Sequence, residues 1–241
     1  VNFIPISALN GDNVVDRSDN MPWYEGSTLM HLLENIHIGS DQNLIDCRFP
    51  VQYVIRPQSK GFPDYRGYAG RIEGGIFKSG DSIKVLPSGL TTKVKSIDTY
   101  KGEINEAFPP MSVCITLEDD IDISRGDMIV RENNQPNSDQ EIDLMICWMN
   151  QKPLLLRGKY TIRHTSQNAR CIIKDIKYKI DINTLHRIEE VKDIGLNDIG
   201  RISIKTTKPL FFDKYNRNRN TGSIIIIDEA TNETVGAGMI I

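Results

Sequence analysis

The 241-residue sequence predicts a mainly β protein with two consecutive antiparallel β-barrels, preceded by a short strand–loop–helix segment. From residue 47 onward, short runs of alternating apolar residues are separated by turn residues about every 8–12 positions, a pattern typical of antiparallel barrels. Helical periodicity is confined to Ser27–Ile36. A polar tract, Glu132–Asp139, divides the strand-rich part into two blocks. We therefore predict three domains, which cover residues 1–40, 45–134 and 138–241.

The first domain begins with an apolar segment, Val1–Ile6, which predicts a buried strand. The loop Ser7–Asn13 follows, and its Asn10-Gly11 dipeptide favours a tight turn because both residues tolerate positive φ. Ser27–Ile36 is a predicted helix, since apolar residues recur at i, i+3, i+4 and i+7 and Ser27 or Thr28 can cap its start. The apolar stripe consists of Leu29, Leu32, Leu33 and Ile36.

The two later blocks contain the predicted strands of the barrels. Glycines within the strand pattern of the first block indicate bulges or corners, which a small closed barrel needs. The strands predicted in the first block are Phe49–Arg56, Gly67–Phe77, Ser82–Leu86, Thr91–Tyr100, Val113–Leu117 and Met128–Val130. Those in the second block are Glu141–Met149, Lys159–His164, Gln167–Ile173, Ile176–Ile180, Gly200–Thr206, Pro209–Phe212, Gly222–Ile227 and Thr234–Ile241.

The composition is that of a soluble globular protein, with 39% hydrophobic and 25% charged residues. No apolar run approaches the ~20 residues that span a bilayer, and no basic segment followed by an apolar one suggests secretion. The four cysteines form no CxxC pair and have no histidine at zinc-ligand spacing. We therefore expect no membrane contact, a cytoplasmic location, free thiols and no metal site.

The charge is distributed unevenly along the chain. Residues 1–137 hold 13 Lys and Arg against 19 Asp and Glu, a net charge of −6, whereas residues 138–241 hold 16 against 13, a net charge of +3. The stretch Arg201–Asn220 alone contains six basic residues and one acid. Such a stretch can attract a polyanion or an acidic protein surface, or it can solvate exposed strand faces, and the sequence leaves both interpretations open.

Several motifs resemble those of known GTPases. The loop Ser7-Ala8-Leu9 resembles the last guanine-contacting loop of translation-factor-type GTPases, in which a backbone N–H meets the guanine O6. Arg48–Val54, Leu117–Asp127 and Asp181–Leu185 resemble segments of the GTPase subunit of bacterial sulfate adenylyltransferase. The likeness covers essentially the whole chain, and it implies that residues 1–40 are the C-terminal remnant of an α/β GTPase domain.

The resemblance implies a parent subunit built like elongation factor Tu, with a GTPase domain followed by two β-barrels. That subunit forms a heterodimer with a separate adenylyltransferase subunit, which joins ATP and sulfate into adenylyl sulfate and pyrophosphate. GTP hydrolysis drives this unfavourable reaction. The present residues would act as a docking and coupling body that also contacts the parent's own GTPase domain. GTP and Mg²⁺ are expected for the parent, and Ser7, Ala8 and Leu9 are the nucleotide-binding residues expected here.

The motifs of nucleotide hydrolysis are missing from these residues. Neither GxxxxGK[ST], whose backbone N–H groups and Lys cradle phosphates, nor the guanine-selecting Asn-Lys-x-Asp occurs. Asp64–Gly67 matches DxxG, but it follows the guanine-type loop instead of preceding it, so we interpret it as a barrel loop. The acidic loop Glu118–Asp122 lacks the spacing of a calcium loop, and His31 and His164 belong to no catalytic motif. We therefore expect no catalytic residue and no resident cofactor here.

Two alternatives stay open at this point. The barrels can belong to a translation elongation factor that binds aminoacyl-tRNA, for which the basic stretch Arg201–Asn220 is the support, although nucleic-acid binding is the less favoured interpretation. The parent can also be a bifunctional protein in which a kinase for adenylyl sulfate follows the second barrel.

Overall fold

A computed structural model describes residues 3–36, 42–57 and 64–241. The chain divides into two compact units, residues 1–41 and residues 42–241. The architecture is mostly β, with 49% of residues in strands and one helix in the described part of the chain, which confirms the predicted fold class. Among these residues, no helix combines the length and the hydropathy needed to cross a membrane.

The first unit contains the helix α1 (Leu29–Asn35). Thr28, one of the two residues expected to cap it, lies at the N-cap, and its hydroxyl accepts a hydrogen bond from the N–H of His31 at 3.4 Å. No residue of α1 is buried, and the side chain of Leu33 is 54% exposed. The apolar stripe of the helix therefore exists but is only partly covered, since Leu29 and Leu32 are half-buried while Leu33 and Ile36 are exposed.

The predicted strand Val1–Ile6 is wrong where the structure describes it. Residues 1 and 2 lie outside the described residues, and residues 3–6 form no strand. The nearest β-type contact is an isolated bridge between Ser7 and Asp12. A strand exists through hydrogen bonds to a neighbouring strand, and the described residues of the first unit provide no such neighbour.

The second unit contains two closed barrels, and the first of them, barrel 1, spans Arg48–Arg131. Its strands are β1 (Arg48–Ile55), β2 (Gly67–Arg71), β3 (Phe77–Lys78), β4 (Ser82–Leu86), β5 (Thr91–Thr99), β6 (Gly102–Ile104), β7 (Glu106–Ala107), β8 (Ser112–Leu117) and β9 (Met128–Arg131). Six strands close a ring in the order β4-β9-β1-β2-β8-β5, with β5 pairing back to β4, and all of these pairs are antiparallel. Inward side chains fill the ring, where Phe49 and Phe77 meet edge to face with 6.3 Å between centroids.

Barrel 2 spans Asn137–Ile240 and closes in the same way. Its strands are β10 (Asn137–Trp148), β11 (Leu154–Leu155), β12 (Lys159–His164), β13 (Gln167–Ile180), β14 (Arg187–Ile188), β15 (Asp193–Ile194), β16 (Ile199–Phe212), β17 (Ser223–Ile227) and β18 (Thr234–Ile240). The ring runs β12-β17-β18-β10-β16-β13, and β13 pairs back to β12. Isoleucines dominate its core, which Trp148 and Tyr160 join in an edge-to-face contact at 5.5 Å.

Two strands of barrel 2 each merge a pair of segments that the sequence predicts as separate strands. β13 and β16 each contain 14 residues, whereas each was expected as two shorter strands. The pairing of β13 with β16 shifts register between Ile173 and Asp175 and again between Ile176 and Tyr178. The exposed pair Lys174-Asp175 interrupts the alternation of apolar and polar residues along β13. The bulges return the later apolar side chains to the core side, so the strand continues past this pair.

Asp143, on β10, is the centre of a charged cluster on the outer wall of barrel 2. Its carboxylate accepts hydrogen bonds from Ser203 Oγ at 2.5 Å, from Arg201 Nη2 at 2.7 Å and from Lys177 Nζ at 2.9 Å. Burial by itself raises the pKa of Asp143, but these hydrogen bonds outweigh it and hold the pKa at about 2.

We predict that Asp143→Asn destabilises the protein by about 1–2 kcal/mol at pH 7 and flattens the acid side of its stability profile. The folded-state pKa lies below the unfolded value of about 3.9, so the carboxylate's contribution is complete above about pH 4 and is lost as the pH falls toward about 2. Urea unfolding between pH 2 and pH 7 measures this. Glu229→Gln, in an exposed pair with Arg170, is the control with a smaller expected effect. A variant profile parallel to the wild-type profile contradicts the prediction.

Candidate functional site

The loop that carries Ser7, Ala8 and Leu9 forms a closed turn in the first unit. The N–H of Ser7 donates to the carbonyl of Asp12 at 3.2 Å, and the N–H of Gly11 donates to the carbonyl of Ser7 at 2.8 Å. Leu9 is 95% exposed. Among the described residues, the N–H groups of Ala8 and Leu9 find no acceptor. The tip of the turn therefore presents two backbone donors that no described residue occupies.

Asn13 anchors this turn, and the sequence analysis did not single it out. It is buried and has a positive φ of 56°, a conformation that Asn tolerates better than most residues. Its side-chain amide donates to the carbonyl of Pro5 at 2.9 Å and accepts from the N–H of Ser18 at 2.9 Å. Its own carbonyl accepts from the N–H of Leu29 at 3.0 Å. The turn is thus fixed to the start of α1.

Barrel 1 and barrel 2 meet at a polar contact whose centre is a buried ion pair. Arg48 opens β1, and Asp213 follows the last residue of β16, 165 positions away. The guanidinium donates from Nε to Oδ2 at 2.8 Å and from Nη2 to Oδ1 at 2.9 Å. The side chains are only 1% and 3% exposed. This bidentate geometry fixes orientation as well as distance, so β1 and β16 hold one mutual arrangement. We call this contact region the junction.

The remaining polar atoms of this ion pair are also partnered. Arg48 Nη1 donates to the carbonyl of Asn134 at 2.8 Å and to its Oδ1 at 2.9 Å. Thr221 Oγ1 donates to Asp213 at 2.9 Å. Behind it, His164 Nε2 donates to the carbonyl of Thr221 at 2.7 Å, and burial lowers the pKa of His164, which keeps the ring neutral at pH 7.

A second ion pair adjoins the first through Asn134. Arg217 donates to Asp46 from Nε at 2.6 Å and from Nη2 at 2.8 Å. Asn43 and Asn134 donate to the same carboxylate at 2.6 Å and 2.8 Å. Burial by itself raises the pKa of Asp46, but these hydrogen bonds outweigh it and hold the pKa well below its ordinary value.

The junction is closely packed beside the ion pairs. Asn218 of barrel 2 donates to the carbonyl of Glu73 in barrel 1 at 2.9 Å. A Cβ atom added to the neighbouring Gly74 would lie 2.5 Å from the carbonyl oxygen of Asp46 and 2.8 Å from the amide nitrogen of Asn218. Only glycine allows the two backbones to approach this closely.

An apolar contact supplements the polar part of the junction. Phe211, at the end of β16, packs with three buried side chains of barrel 1, which are Leu86, Met128 and Val130. Apolar burial and a buried bidentate ion pair both join barrel 1 to the end of β16. The junction therefore fixes the two barrels to each other.

The acidic loop and the basic stretch do not form a second site. In the acidic loop, Thr92 Oγ1 donates to Asp119 at 2.7 Å and Arg66 pairs with Asp120. Within the described residues, no group of three or more His, Cys, Asp or Glu is arranged to hold a metal ion. Half of the six cations in the basic stretch already have carboxylate partners, in the pairs Arg201–Asp143, Lys205–Glu141 and Arg217–Asp46.

Curated relatives match this chain over its whole length, and one family model matches its C-terminal part. The family described as "GTP-eEF1A C-terminal domain-like" matches residues 141–241. The chain is 50% identical to the "Bifunctional enzyme CysN/CysC" of Mycobacterium tuberculosis, over 100% of this chain and 39% of that protein. It is 47% identical to "Sulfate adenylyltransferase subunit 1" of Bacteroides thetaiotaomicron, over 100% of this chain and 50% of that protein. The chain thus spans half or less of the length of these relatives.

Two solved structures share the fold of this chain. Sup35 complexed with GMPPNP superposes with a TM-score of 0.74 at 19% identity, over 98% of this chain and 57% of that chain. Translation elongation factor SelB from Methanococcus maripaludis superposes with a TM-score of 0.66 at 20% identity, over 88% of this chain and 46% of that chain. At such identities the likeness concerns the fold alone.

We predict that Arg48→Met destabilises the protein by about 3–5 kcal/mol, because it leaves the buried carboxylate of Asp213 without its cation. Urea unfolding at pH 7 measures the loss. The matched control is Arg170→Met, which breaks an exposed pair with Glu229 and costs at most about 1 kcal/mol. The double variant Arg48→Met with Asp213→Leu should recover part of the loss, since it removes both buried charges. Equal effects of Arg48→Met and Arg170→Met would argue against a junction centred on this pair.

Proposed function

We propose that this chain is the barrel portion of a GTPase subunit, because curated CysN/CysC and sulfate adenylyltransferase subunit 1 relatives are 47–50% identical to it over its whole length. In this proposal the parent couples GTP hydrolysis to the formation of adenylyl sulfate and pyrophosphate from ATP and sulfate. Its partner is a separate adenylyltransferase subunit, with which it forms a heterodimer. The reaction serves sulfate assimilation in the cytoplasm.

The extent of the sequence identity is the observation that carries this proposal. Identity near one half extends over the whole chain in relatives whose names describe sulfate adenylyltransferase subunits or the CysN/CysC enzyme. Sup35 and the translation elongation factor SelB share the fold at only 19–20% identity. A role in binding aminoacyl-tRNA is less well supported, since half of the cations in its candidate surface are already neutralised within barrel 2 and the junction.

Nucleotide chemistry belongs to the parent in this proposal. The phosphate-binding and guanine-selecting motifs do not occur in these 241 residues. The tip of the Ser7–Leu9 turn could contribute to guanine binding. The N–H groups of Ala8 and Leu9, which have no acceptor among the described residues, can donate to the O6 of a guanine. GTP and its Mg²⁺ would bind mainly to residues of the parent outside this chain.

The barrels would serve as the coupling body. A subunit that converts a nucleotide-dependent movement into a change at a partner needs a part that moves without deforming. The junction supplies that property through the pairs Arg48–Asp213 and Asp46–Arg217, and Asn134 of the segment between the barrels is hydrogen-bonded to both pairs. Whether an adenylyl-sulfate kinase forms part of the same parent follows directly from the length of its gene.

We predict that the full-length parent, combined with its adenylyltransferase subunit, forms adenylyl sulfate from ATP and sulfate faster when GTP is present. A non-hydrolysable GTP analogue should abolish the stimulation, because the unfavourable step then has no coupled hydrolysis to drive it. Coupled pyrophosphate release measures the rate, and the adenylyltransferase subunit alone is the control. Equal rates with and without GTP would contradict the proposal.

We predict that Ala8→Pro in the full-length parent weakens GTP binding by up to about tenfold, because it deletes one backbone donor to the guanine. Leu9→Pro tests the second donor, and at least one of the two should also reduce the preference for GTP over ATP. Leu9→Ala is the matched control, since it removes only an exposed side chain. Titration with a fluorescent guanine nucleotide gives the affinities. Unchanged affinity in both proline variants would remove this turn from the nucleotide site.

A further inference from the structure

The outer wall of barrel 1 carries a cavity of about 330 Å³, which we call the wall cavity. A row of directly paired residues crosses four neighbouring strands there, namely Tyr53 on β1, Ala69 on β2, Cys114 on β8 and Asp98 on β5. Directly paired residues point their side chains to the same face of a sheet. The small side chains of Ala69 and Cys114 therefore form the floor of the wall cavity, between Tyr53 and Asp98.

Two exposed tyrosines flank the wall cavity. The bulge between Val51 and Tyr53 leaves Gln52 and Tyr53 exposed in succession, and Tyr53 is 67% exposed. Tyr100 is 95% exposed, and together with Lys101 it forms the two-residue turn between β5 and β6. A tyrosine so exposed adds almost nothing to the core of its own barrel, but it offers a ring face and a hydroxyl to a binding partner.

Asp98 is the one charged side chain among the described residues that line the wall cavity. Its Oδ2 accepts a hydrogen bond from Ser96 Oγ at 3.1 Å, and Ser96 Oγ lies 2.8 Å from Thr116 Oγ1. These two hydroxyls hold the carboxylate in place. Within the described chain, Oδ1 of Asp98 has neither a hydrogen bond nor an ion pair. This oxygen is therefore free to accept from a donor that enters the wall cavity.

A second carboxylate adjoins Asp98 on the same face of the sheet. Glu103 on β6 is paired directly opposite Asp98 on β5. Like charges directly opposite each other destabilise an antiparallel pair, and a cation bound beside them relieves the repulsion. The ion pairs of barrel 1 involve other residues, so neither carboxylate has a cationic partner in the part of the chain that the structure describes. The pair is thus incomplete without a cation from outside.

The cations at neighbouring positions of barrel 1 do not line the wall cavity. They are Arg71, Lys95, Lys101 and Arg125. Arg125 donates to the backbone carbonyl of Gln52 at 2.8 Å, and Lys95 lines a separate cavity. Burial raises the pKa of Glu73, and the charge of Arg71 partly opposes this rise, so Arg71 acts on Glu73. The surroundings are therefore of mixed charge, whereas the lining itself is electronegative.

The chemistry of the lining matches a guanidinium. Tyrosine ring faces attract a cation, and a planar guanidinium also stacks on them. Its several N–H donors can reach acceptors spread around the wall cavity, which are Asp98 Oδ1, the amide oxygen of Gln52 and the hydroxyl of Ser112. The side chains of Gln52 and Ser112 have no hydrogen-bond partner among the described residues. A phosphate-bearing ligand would instead meet two carboxylates, which repel it.

The exposure of Tyr100 indicates that this guanidinium is part of a polypeptide. A site for a free small molecule encloses most of its ligand. The wall cavity cannot do so, because one of its sides is a tyrosine that is 95% exposed. An arginine on a protein surface brings further surface that covers Tyr53 and Tyr100, and tyrosine and arginine are both enriched at the centres of protein interfaces.

We propose that the wall cavity is a recognition site for an arginine side chain of another polypeptide. Asp98 accepts hydrogen bonds from the guanidinium, and Tyr53 and Tyr100 contact its faces. This inference is independent of the proposed function, because it names the side chain that is recognised and not the reaction that the parent performs.

The test measures binding of Nα-acetyl-arginine amide to the full-length parent by titration with saturation-transfer difference NMR, which detects weak ligands of large proteins. Nα-acetyl-citrulline amide is the matched probe, since it has nearly the same shape and no charge. We expect the citrulline probe to bind at least about fivefold more weakly, because it lacks the charge that Asp98 and the tyrosines recognise.

Three variants locate the binding. Asp98→Asn should weaken binding of the arginine probe at least about fivefold, and Tyr100→Leu about threefold, since it removes one ring face. Asp122→Asn, in the exposed acidic loop of the same barrel, is the matched control with unchanged affinity. Circular dichroism melts verify that each variant is folded.

The proposal is overturned if the arginine and citrulline probes bind equally, or if Asp98→Asn and Tyr100→Leu both keep the wild-type affinity. Equal binding of Nα-acetyl-lysine amide would contradict the choice of a guanidinium. Spermidine that binds more tightly than the arginine probe, and loses affinity in Asp98→Asn, would identify a free polyamine as the occupant. None of these outcomes affects the GTP-stimulated formation of adenylyl sulfate, so the two proposals fail separately.

Discussion

The buried pair between Arg48 and Asp213 is the constraint on which the arrangement of the second unit depends. A guanidinium and a carboxylate that are almost completely removed from water are tolerable only if nearly all of their polar atoms have partners. Satisfying them requires the start of β1, the end of β16 and the segment between the barrels to converge, because Asn134 in that segment accepts from Arg48 and donates to Asp46. The connection between the barrels is therefore part of the junction and not a free linker.

The closed barrels and the fixed junction both make the second unit resist deformation. In each barrel the ring of six strands has no free edge within the ring, so it resists shear and slippage. The junction adds a bidentate ion pair on one side and the packing of Phe211 on the other, which together restrict both rotation and separation. Gly74 lies beside the backbone of Asp46 and the side chain of Asn218. This close packing is possible only because Gly74 has no side chain.

The local features of this structure were predictable from sequence, and the long-range ones were not. Alternation in runs such as Ser82–Leu86 and Lys159–His164 matches β4 and β12, since one face of each strand must reach a core. The continuity of β13 was missed because bulges restore the inward alternation after a polar break. The strand expected at Val1–Ile6 depends on a neighbour that the described residues of its unit lack. No local pattern joins Arg48 to Asp213, since an arginine before one apolar run and an aspartate after another look like ordinary strand flanks.

The geometry of barrel 2 gives the proposed coupling a physical route. β16 contains 14 residues and runs from Phe212 at the junction to Ile199 at the opposite end of barrel 2, and β13 accompanies it over Cys171–Ile180. They are hydrogen-bonded to one another along most of that length and pack against an isoleucine-rich core with little room to yield. A displacement of barrel 1 would therefore reach the opposite end of barrel 2 as a movement of the whole barrel. In the proposed function, coupling then requires no internal switch in these residues, only a junction that does not open.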